Sequence, residues 1–439
     1  MSASKSFDIA IIGGGISGLT LAISLYKQNV PVTVYESASE FGEIGAGVGF
    51  GPNAVRAMAL ISPEIVEGFS RCVTHGERKE DWFTVRVGDH RKAGPDGVLK
   101  QKENEGIKVG DPIFEIHYTN NDLAGGVHRA HFLDELLRLI PESISRLGKR
   151  LVDITAAADG SQDAVLHFAD GTTAQHTAVA GCDGIKSKTR EILLGADAGA
   201  IFSGKYAYRG LIPMEKAVEM LGSEVACNSQ MYMGYHGHLL TFAIEKGKTM
   251  NVVAFSSQET WTSPQWVVKA SKEKMLSDFG TWGPTVNAII NAMEKRDIWA
   301  LFNDPPAETY YGSDPRICLL GDAAHATTPH QGAGAGMCIE DCYILGRLIA
   351  EVSSTQDLGK AFRAYDEVRR PRTQKLVETS REAGMLYEFE LEGDDLEAIE
   401  RNFKSRMSWI WDADLQKDMK RALSVLQELV RLDHSLVEE

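Results

Sequence analysis

The sequence holds no apolar run close to the roughly 20 residues that a membrane span requires, so no spanning segment is expected. Nor does it hold a basic block. Its 46 Lys and Arg stand against 61 Asp and Glu, a formal charge of −15, which argues against nucleic acid or an anionic membrane as the main partner. The opening "MSASKSFDIAIIGGG" lacks the charged start, apolar core and small-residue cleavage site of a signal peptide, and the closing "SLVEE" is no recognisable address. A cytoplasmic setting is expected. The six cysteines (Cys72, Cys182, Cys227, Cys318, Cys338 and Cys342) form no C-x-x-C, which weighs against a dithiol centre or a zinc ribbon. Cys338 and Cys342 lie four apart on an expected helix face, but free cysteines are usually small buried apolar residues, so no metal is expected. Their use fits a reducing compartment. There is no internal repeat and no low-complexity segment.

What is present is a chain of 439 residues, 43% hydrophobic and 24% charged, enough for two or three domains with a large buried interior. Phe7–Ile12 is a continuous apolar run, as in a parallel strand buried on both faces. Gly13 to Gly18 turn the chain, Leu19–Tyr26 carry helical spacing, and Val32–Tyr35 return as a second strand ending at Glu36. The spacing predicts a β-α-β unit. Lys92 to Pro112 has loop composition, and "VHRAHFLDELLRLI" reads as a helix. Leu151–Thr155, Val165–Phe168 and Thr177–Ala180 read as strands separated by Asp-Gly turns. Between about residues 200 and 258 the texture changes to alternating, aromatic-rich strands of an antiparallel layer. From Ile339 the chain reads as almost all helix, with "MSWIWDADL" as an apolar anchor.

Gly13-x-Gly15-x-x-Gly18 after a strand and before a helix is a dinucleotide fingerprint. Its glycines permit the tight turn, the approach of a pyrophosphate and close helix–strand packing, and the phosphate sits on the helix N-terminus. The expected cofactor contacts here are Gly13, Gly15, Ile16, Ser17 and Gly18, with Glu36 and its neighbour Ser37 at the adenosine ribose. Glu36 disfavours a 2′-phosphate, which leaves FAD or NAD. "CDGIKSKTR" supplies Asp183-Gly184, Ser187 and Arg190. "CLLGDAAHATTPHQGAGAGMCIEDC" supplies Asp322, Pro329 and the segment Gly332, Ala333, Gly334 and Ala335. Asp322 and His325 first look like an acid/base pair. An Asp ending a strand equally accepts from a ribityl chain, and helix-start N–H groups face the electron-rich end of an isoalloxazine. With Asp183 and Asp322 both expected on the cofactor, FAD is the favoured nucleotide.

These three motifs, in this order over about Phe7 to Ala350, resemble the class A flavoprotein aromatic monooxygenases of the para-hydroxybenzoate-hydroxylase fold. "FGEIGAGVGFGPNAVRAM" and "VHRAHFLDELL" are similar to its salicylate-hydroxylase-like branch, and "YRGLIP" and "WIWDADL" to fungal members that hydroxylate, and in some cases dearomatise, polyketide phenols. The resemblance implies an α/β fold. A Rossmann-like FAD-binding domain (1–78, 119–199 and 301–355) would carry an inserted antiparallel-sheet substrate domain (79–118 and 200–300) and a helical C-terminal region (356–439). It also implies that Arg129 reaches the FAD phosphate and ribityl region, and that backbone at Ile44 to Ala46, Gly45 and Ala46 among them, borders the flavin. FAD would be tightly but non-covalently held, with NADPH or NADH a transient reductant, since no second glycine fingerprint is present. The implied chemistry is an electrophilic hydroxyl delivered by a flavin C4a-hydroperoxide, made from O2, to a phenolic ring.

Such a ring reacts best as phenolate, which a nearby cation favours. Arg209 in "KYAYRGLIP" is the first catalytic candidate: on an extended strand it shares a face with Ala207 and Leu211, opposite Tyr206 and Tyr208. Tyr118 is the expected second donor, with Tyr235 in reserve. Phe242 stands where some relatives carry a Tyr, and His330 is expected near the flavin edge and the substrate. His325 and His238 would also tempt an acid/base assignment, but His325 reads as a packing residue at the strand–helix turn. The expected partners are a small phenolic molecule and O2, with the chain a monomer or homodimer. The favoured reaction is hydroxylative dearomatisation of a resorcylaldehyde-type polyketide intermediate of fungal secondary metabolism. The alternatives are decarboxylative hydroxylation of a salicylate-like acid and a non-oxygenating flavin oxidoreductase.

Overall fold

The computed structural model describes residues 5–42, 47–78, 81–89, 106–118, 123–293, 297–313 and 316–437. The first unit is β1 (Ile9–Ile12), α1 (Ile16–Lys27) and β2 (Val32–Tyr35), followed by β3 (Gly47–Phe50), α2 (Pro52–Ile61) and α3 (Pro63–Cys72). Next come β4 (Asp81–Val87), β5 (Pro112–His117), β6 (Gly125–His128), α4 (Arg129–Leu137) and β7 (Ser145–Arg146). A small hairpin layer holds β8 (Leu151–Ala156), β9 (Ala164–Phe168) and β10 (Thr173–His176), and β11 (Ala178–Gly181) and α5 (Lys188–Leu194) follow. The middle of the chain contributes β12 (Ile201–Pro213), α6 (Met214–Leu221), α7 (Ser223–Ala226), β13 (Gln230–Gly234), β14 (Gly237–Ile244), β15 (Thr249–Ser257) and β16 (Val267–Lys269). Then come α8 (Lys272–Asp278), α9 (Pro284–Ala292), β17 (Asp297–Asn303), β18 (Tyr311–Ser313) and β19 (Arg316–Leu319). The chain finishes in α10 (Asp322–His325), α11 (Gly334–Glu351), α12 (Leu358–Tyr387), α13 (Leu396–Trp411) and α14 (Leu415–Val437).

Two large sheets organise these elements. One runs β18-β19-β11-β1-β2-β7, parallel except at β18, and its central strands are apolar because helices cover both faces. The other has eight strands in the order β16-β17-β12-β15-β14-β13-β4-β5. Only its β13–β4 pair is parallel. The expected third strand of the hairpin layer divides. Residues 173–176 complete the hairpin, whereas Ala178–Gly181, buried throughout, pairs in parallel with β1 and β19 at the centre of the other sheet. Most of the loop-like stretch Lys92 to Pro112 lies outside the described residues. Among the described residues no helix is long and apolar enough to cross a membrane.

A buried ionic cluster joins the helical end of the chain to the parallel sheet. Arg369 of α12 lies 2.8 Å from both Asp341 and Glu340 of α11. Arg372 forks onto Glu340 at 2.8 and 2.9 Å and donates to the carbonyls of Trp409 and Ile410. His325 Nε2 lies 2.6 Å from Asp341, and Asn53 of α2 donates to Glu340 at 2.7 Å. Burial alone would raise Glu340, but Arg372 and Arg369 hold it at about 2.

Replacing Arg369 by Leu strands two buried carboxylates with one cation fewer. The expected cost is roughly 3–5 kcal/mol, read as a lower melting temperature of the FAD-loaded protein. Because Glu340 sits below its ordinary value, its contribution is complete above about pH 4.5 and is lost as pH falls toward 2. The melting temperature of the parent chain should therefore drop through that window, and by less in the Leu variant.

Candidate active site

A cavity of about 420 Å³ opens between the two large sheets and reaches the first turns of α1 and α11. At one end the glycine turn is built by packing. Gly13 has φ +102°, and a Cβ there would overlap the Cys182 carbonyl, while a Cβ on Gly18 would overlap the Gly13 carbonyl. Gly15 is different: among the described residues the only heavy atom within 4 Å of a Cβ there is Arg129 Nη2 at 4.0 Å. Gly13 and Gly18 therefore shape the turn, and Gly15, Ile16, Ser17 and Arg129 line the cavity.

Glu36 accepts from the Gly14 N–H at 2.7 Å, the Ala38 N–H at 2.8 Å and Ser37 Oγ at 3.1 Å. It braces the turn from the end of β2, and neither it nor Ser37 is on the cavity wall. Asp183 is placed differently from the sequence reading. Its carboxylate accepts from Ser187 Oγ (2.5 Å), the Thr189 N–H (2.9 Å) and Thr189 Oγ1 (3.0 Å), which places it at the start of α5 rather than in the cavity. Burial pushes its pKa up. Its neighbours Cys182 and Gly184 are the wall residues. Arg190 then ties this motif to the next, donating to the carbonyls of Ala324, Ala198 and Pro305, each at 2.8 Å.

Asp322 opens α10 with its side chain exposed to the cavity. Pro329, Gly332, Ala333, Gly334 and Ala335 follow on the same wall, with Gly332 left-handed at φ +59° and no side chain capping α11. The first turn of α1 is likewise uncapped by any side chain. Two open helix N-termini and the Arg129 guanidinium thus border one cavity, a donor set suited to a pyrophosphate and an electron-rich ring. Gly45 and Ala46 lie outside the described residues. His325 is buried against Asp341 and off the wall, so no acid/base pair with Asp322 faces the cavity.

At the other end Arg209 projects from β12 into an apolar wall of Leu240, Phe242, Val253 and Phe255. Tyr206 and Tyr208 take the opposite face, where both hydroxyls donate to Asp278. The Arg209 guanidinium rests 4.9 Å from the Trp299 ring centre, and among the described residues it has no hydrogen-bonding or carboxylate partner. Burial, with the Arg129 charge, pushes its pKa down. Tyr118 lines the cavity, its ring 5.1 Å from Trp411, and burial pushes its phenol well up. Phe242 and His330 are also on the wall. Tyr235 is not: its hydroxyl donates to Asp394 and its ring packs on Phe389, so it has no place as a reserve donor.

Sequence reasoning missed Trp411 and Trp82, whose rings meet edge to face at 5.2 Å on the cavity wall. "MSWIWDADL" read as an apolar anchor and as part of a family resemblance but gave no site residue, because nothing local links residue 411 to a site built some two hundred residues earlier. Asp81, Glu115 and His117 also gather near the cavity, but Arg78 pairs with both carboxylates and supplies their counter-charge.

Comparisons with known proteins agree with this geometry. An FAD binding domain model matches residues 144–380, and an NAD(P)-binding Rossmann-like domain model matches 11–46. The chain is 39% identical to 6-methylsalicylate 1-monooxygenase atA of Aspergillus terreus, over 99% of this chain and 96% of that one. It is 36% identical to a salicylate hydroxylase of Pseudomonas putida, over 96% and 95%. A solved salicylate hydroxylase substrate complex superposes with a TM-score of 0.81 at 33% identity, covering 95% of this chain and 98% of that one. The chain belongs to the FAD-dependent monooxygenases of the salicylate hydroxylase type, and is an NAD(P)H-dependent aromatic hydroxylase.

Proposed function

We propose that this enzyme uses NAD(P)H and O2 in the cytoplasm to hydroxylate a phenolic ring held as its phenolate by Arg209. The favoured substrate is a resorcylaldehyde-type polyketide intermediate of fungal secondary metabolism, dearomatised as it is hydroxylated. The observation that carries the reading is Arg209 itself, a half-buried cation with its Nε buried and unpartnered and no anionic partner among the described residues, set in an apolar wall. A phenolate supplies the missing charge. The adjacent cation in turn lowers the phenol pKa and keeps the ring electron-rich. Leu240, Phe242, Val253 and Phe255 match the ring, and Tyr118, held protonated by burial, serves as a neutral donor that fixes the ring's orientation.

FAD, when bound, supplies the reduction of O2 and the electrophilic oxygen. Gly15, Ile16, Ser17 and Arg129 would hold its pyrophosphate, Glu36 and Ser37 its adenosine ribose, and Asp322 its ribityl chain. The Pro329–Ala335 segment would hold its ring. Gly13 and Gly18 act by packing the turn, and Asp183 by holding α5 in place.

Decarboxylative hydroxylation of a salicylate-like acid is the second reading. It is favoured by the names of relatives matched along almost the whole chain, and Arg209 would then face a carboxylate. Product mass separates the two: gain of one oxygen supports dearomatisation, while net loss of a carboxyl group sinks it. Oxygen uptake stoichiometric with product excludes a non-oxygenating oxidoreductase.

Arg209→Met should keep its yellow FAD yet lose about 100-fold or more in kcat/KM; full activity would remove Arg209 from the site. Tyr118→Phe should lose about tenfold and scramble the face of attack, read by chiral chromatography of the product. Asp322→Ala should instead weaken FAD retention by roughly 10–100-fold, measured by flavin absorbance after dialysis.

A further inference from the structure

The wall around Arg209 continues into a polar track that the hydroxylation reading does not use. Strand register sets its residues in rows on one sheet face: Arg209 beside Val253 and Leu240, then Ala207 beside Phe255 and His238, then Lys205 beside Ser257. His238 is fully buried and stacks on Phe255 at 4.1 Å. Its ring centre lies 5.1 Å from that of His330, which lines the cavity. His330 Nδ1 and His238 Nε2 are both buried without a hydrogen-bond partner among the described residues. The other nitrogen of His238, Nδ1, lies 3.0 Å from Glu388 Oε1. The second Glu388 oxygen meets Lys205 Nζ and, at 3.3 Å, Ser257 Oγ. Lys205 passes on to Glu390 at 2.9 Å, and Glu390 to His236 at 2.9 Å, whose side chain is 68% exposed.

An ionised Glu388 and two imidazoles behind an aromatic wall are costly to bury, and an apolar core of the same shape would hold the sheet as well. Their order matters more than their presence. They lead from the row next to Arg209 to solvent, hydrogen-bonded from His238 outward, with the His330 ring 5.1 Å from the His238 ring at the cavity end. Burial holds His330 at about 3 and His238 below its ordinary value, so both rest as neutral rings able to take a proton on one nitrogen and shed it from the other. Burial works against Glu388, but the hydrogen bond from His238 and the charge of Lys205 hold it well below its ordinary value, an acceptor at rest. The remaining ionisable neighbours are Tyr387, 5.3 Å from His238 on α12, and the Lys205, Glu390 and His236 group at the solvent end.

We propose that His330, His238 and Glu388 form a proton exit that carries the substrate's phenolic proton from the cavity to solvent at Lys205, Glu390 and His236. The proposal rests on the phenolate reading above. The phenol O–H bond breaks and its electron pair stays on the oxygen facing Arg209. The proton adds to one His330 nitrogen, and the other nitrogen hands its proton to His238 Nε2. His238 Nδ1–H passes on to Glu388, and solvent takes the proton beyond it. Nothing is oxidised or reduced.

The test mixes oxidised, FAD-loaded enzyme with 2,4-dihydroxybenzaldehyde, without oxygen or NAD(P)H, in weak buffer with a pH indicator. The pH is set where the free phenol keeps its proton, so any proton released comes from binding. The parent enzyme should release one proton per bound phenol, in step with the absorbance of the phenolate. His238→Gln, which keeps a hydrogen bond to Glu388, should slow that release at least tenfold with FAD content and phenol affinity near the parent's, and added imidazole should restore part of the rate. Glu388→Gln should slow it similarly and carries the test if the first variant does not fold. Release at the parent rate in these variants overturns the exit alone. A parent enzyme that hydroxylates yet releases no proton on binding overturns both the exit and the phenolate reading.

Discussion

The pairing of Asp341 and Glu340 with Arg369 and Arg372 is the contact on which both ends of the cavity depend. Asp341 holds His325 at 2.6 Å and accepts from the Gly321 N–H at 3.4 Å, so it positions the turn that presents Asp322. Glu340, one residue away on α11, is shared by both arginines of α12. Arg372 then grips the last carbonyls of α13, the helix that ends in Trp411. A cation at a helix C-terminus complements both the orphan carbonyls and the dipole. One buried cluster thereby sets the turn beside the expected cofactor and the aromatic side of the substrate cavity. Buried charges of this kind hold only as a set, because each partner is what makes the next tolerable.

The two aspartates show how one residue type divides its labour. Asp183 and Asp322 both follow a strand of the parallel sheet; Asp183 precedes the short helix α5 and Asp322 opens the short helix α10. Asp183 has Ser187 and Thr189 within reach, so its acceptors are consumed within its own helix start. Among the described residues Asp322 has no such partners, and its carboxylate stays exposed in the cavity. The glycines divide in the same way. Gly13 and Gly18 are glycine because backbone presses on them, and Gly15 because the space beside it is open.

Local pattern made the first β-α-β unit, its glycine turn and the strand of Arg209 legible, since each is set by contacts within a few residues. The alternation that put Arg209 opposite Tyr206 and Tyr208 is a property of any strand. Partner choice is not local. Thr177–Ala180 has the composition of a third hairpin strand, and only the burial of Ala178–Gly181 on both faces sends it to the parallel sheet. Sequence ranks Tyr118 ahead of Tyr235 as donor but shows nothing of what either ring packs against. Asp394 and Phe389, far along the chain, take up Tyr235, while Trp411 fixes Tyr118 on the cavity wall. His238 received no role from the sequence for a similar reason, because its partner Glu388 is 150 residues away.

A final constraint concerns how a lone cation survives in an apolar wall before any ligand arrives. A carboxylate beside Arg209 would stabilise it most, but would also consume the N–H donors that a phenolate needs. Trp299 offers a different support. Its ring face, 4.9 Å from the guanidinium, attracts the charge through its quadrupole, worth about 0.5–2 kcal/mol, and leaves every guanidinium hydrogen available. The partial nature of this compensation shows in the lowered pKa of Arg209, which burial and the Arg129 charge depress. The deficit is what an arriving anion removes. On the phenolate reading proposed above, selectivity for an ionised ring would follow from this unmet charge, of which a neutral aromatic of the same shape would gain nothing.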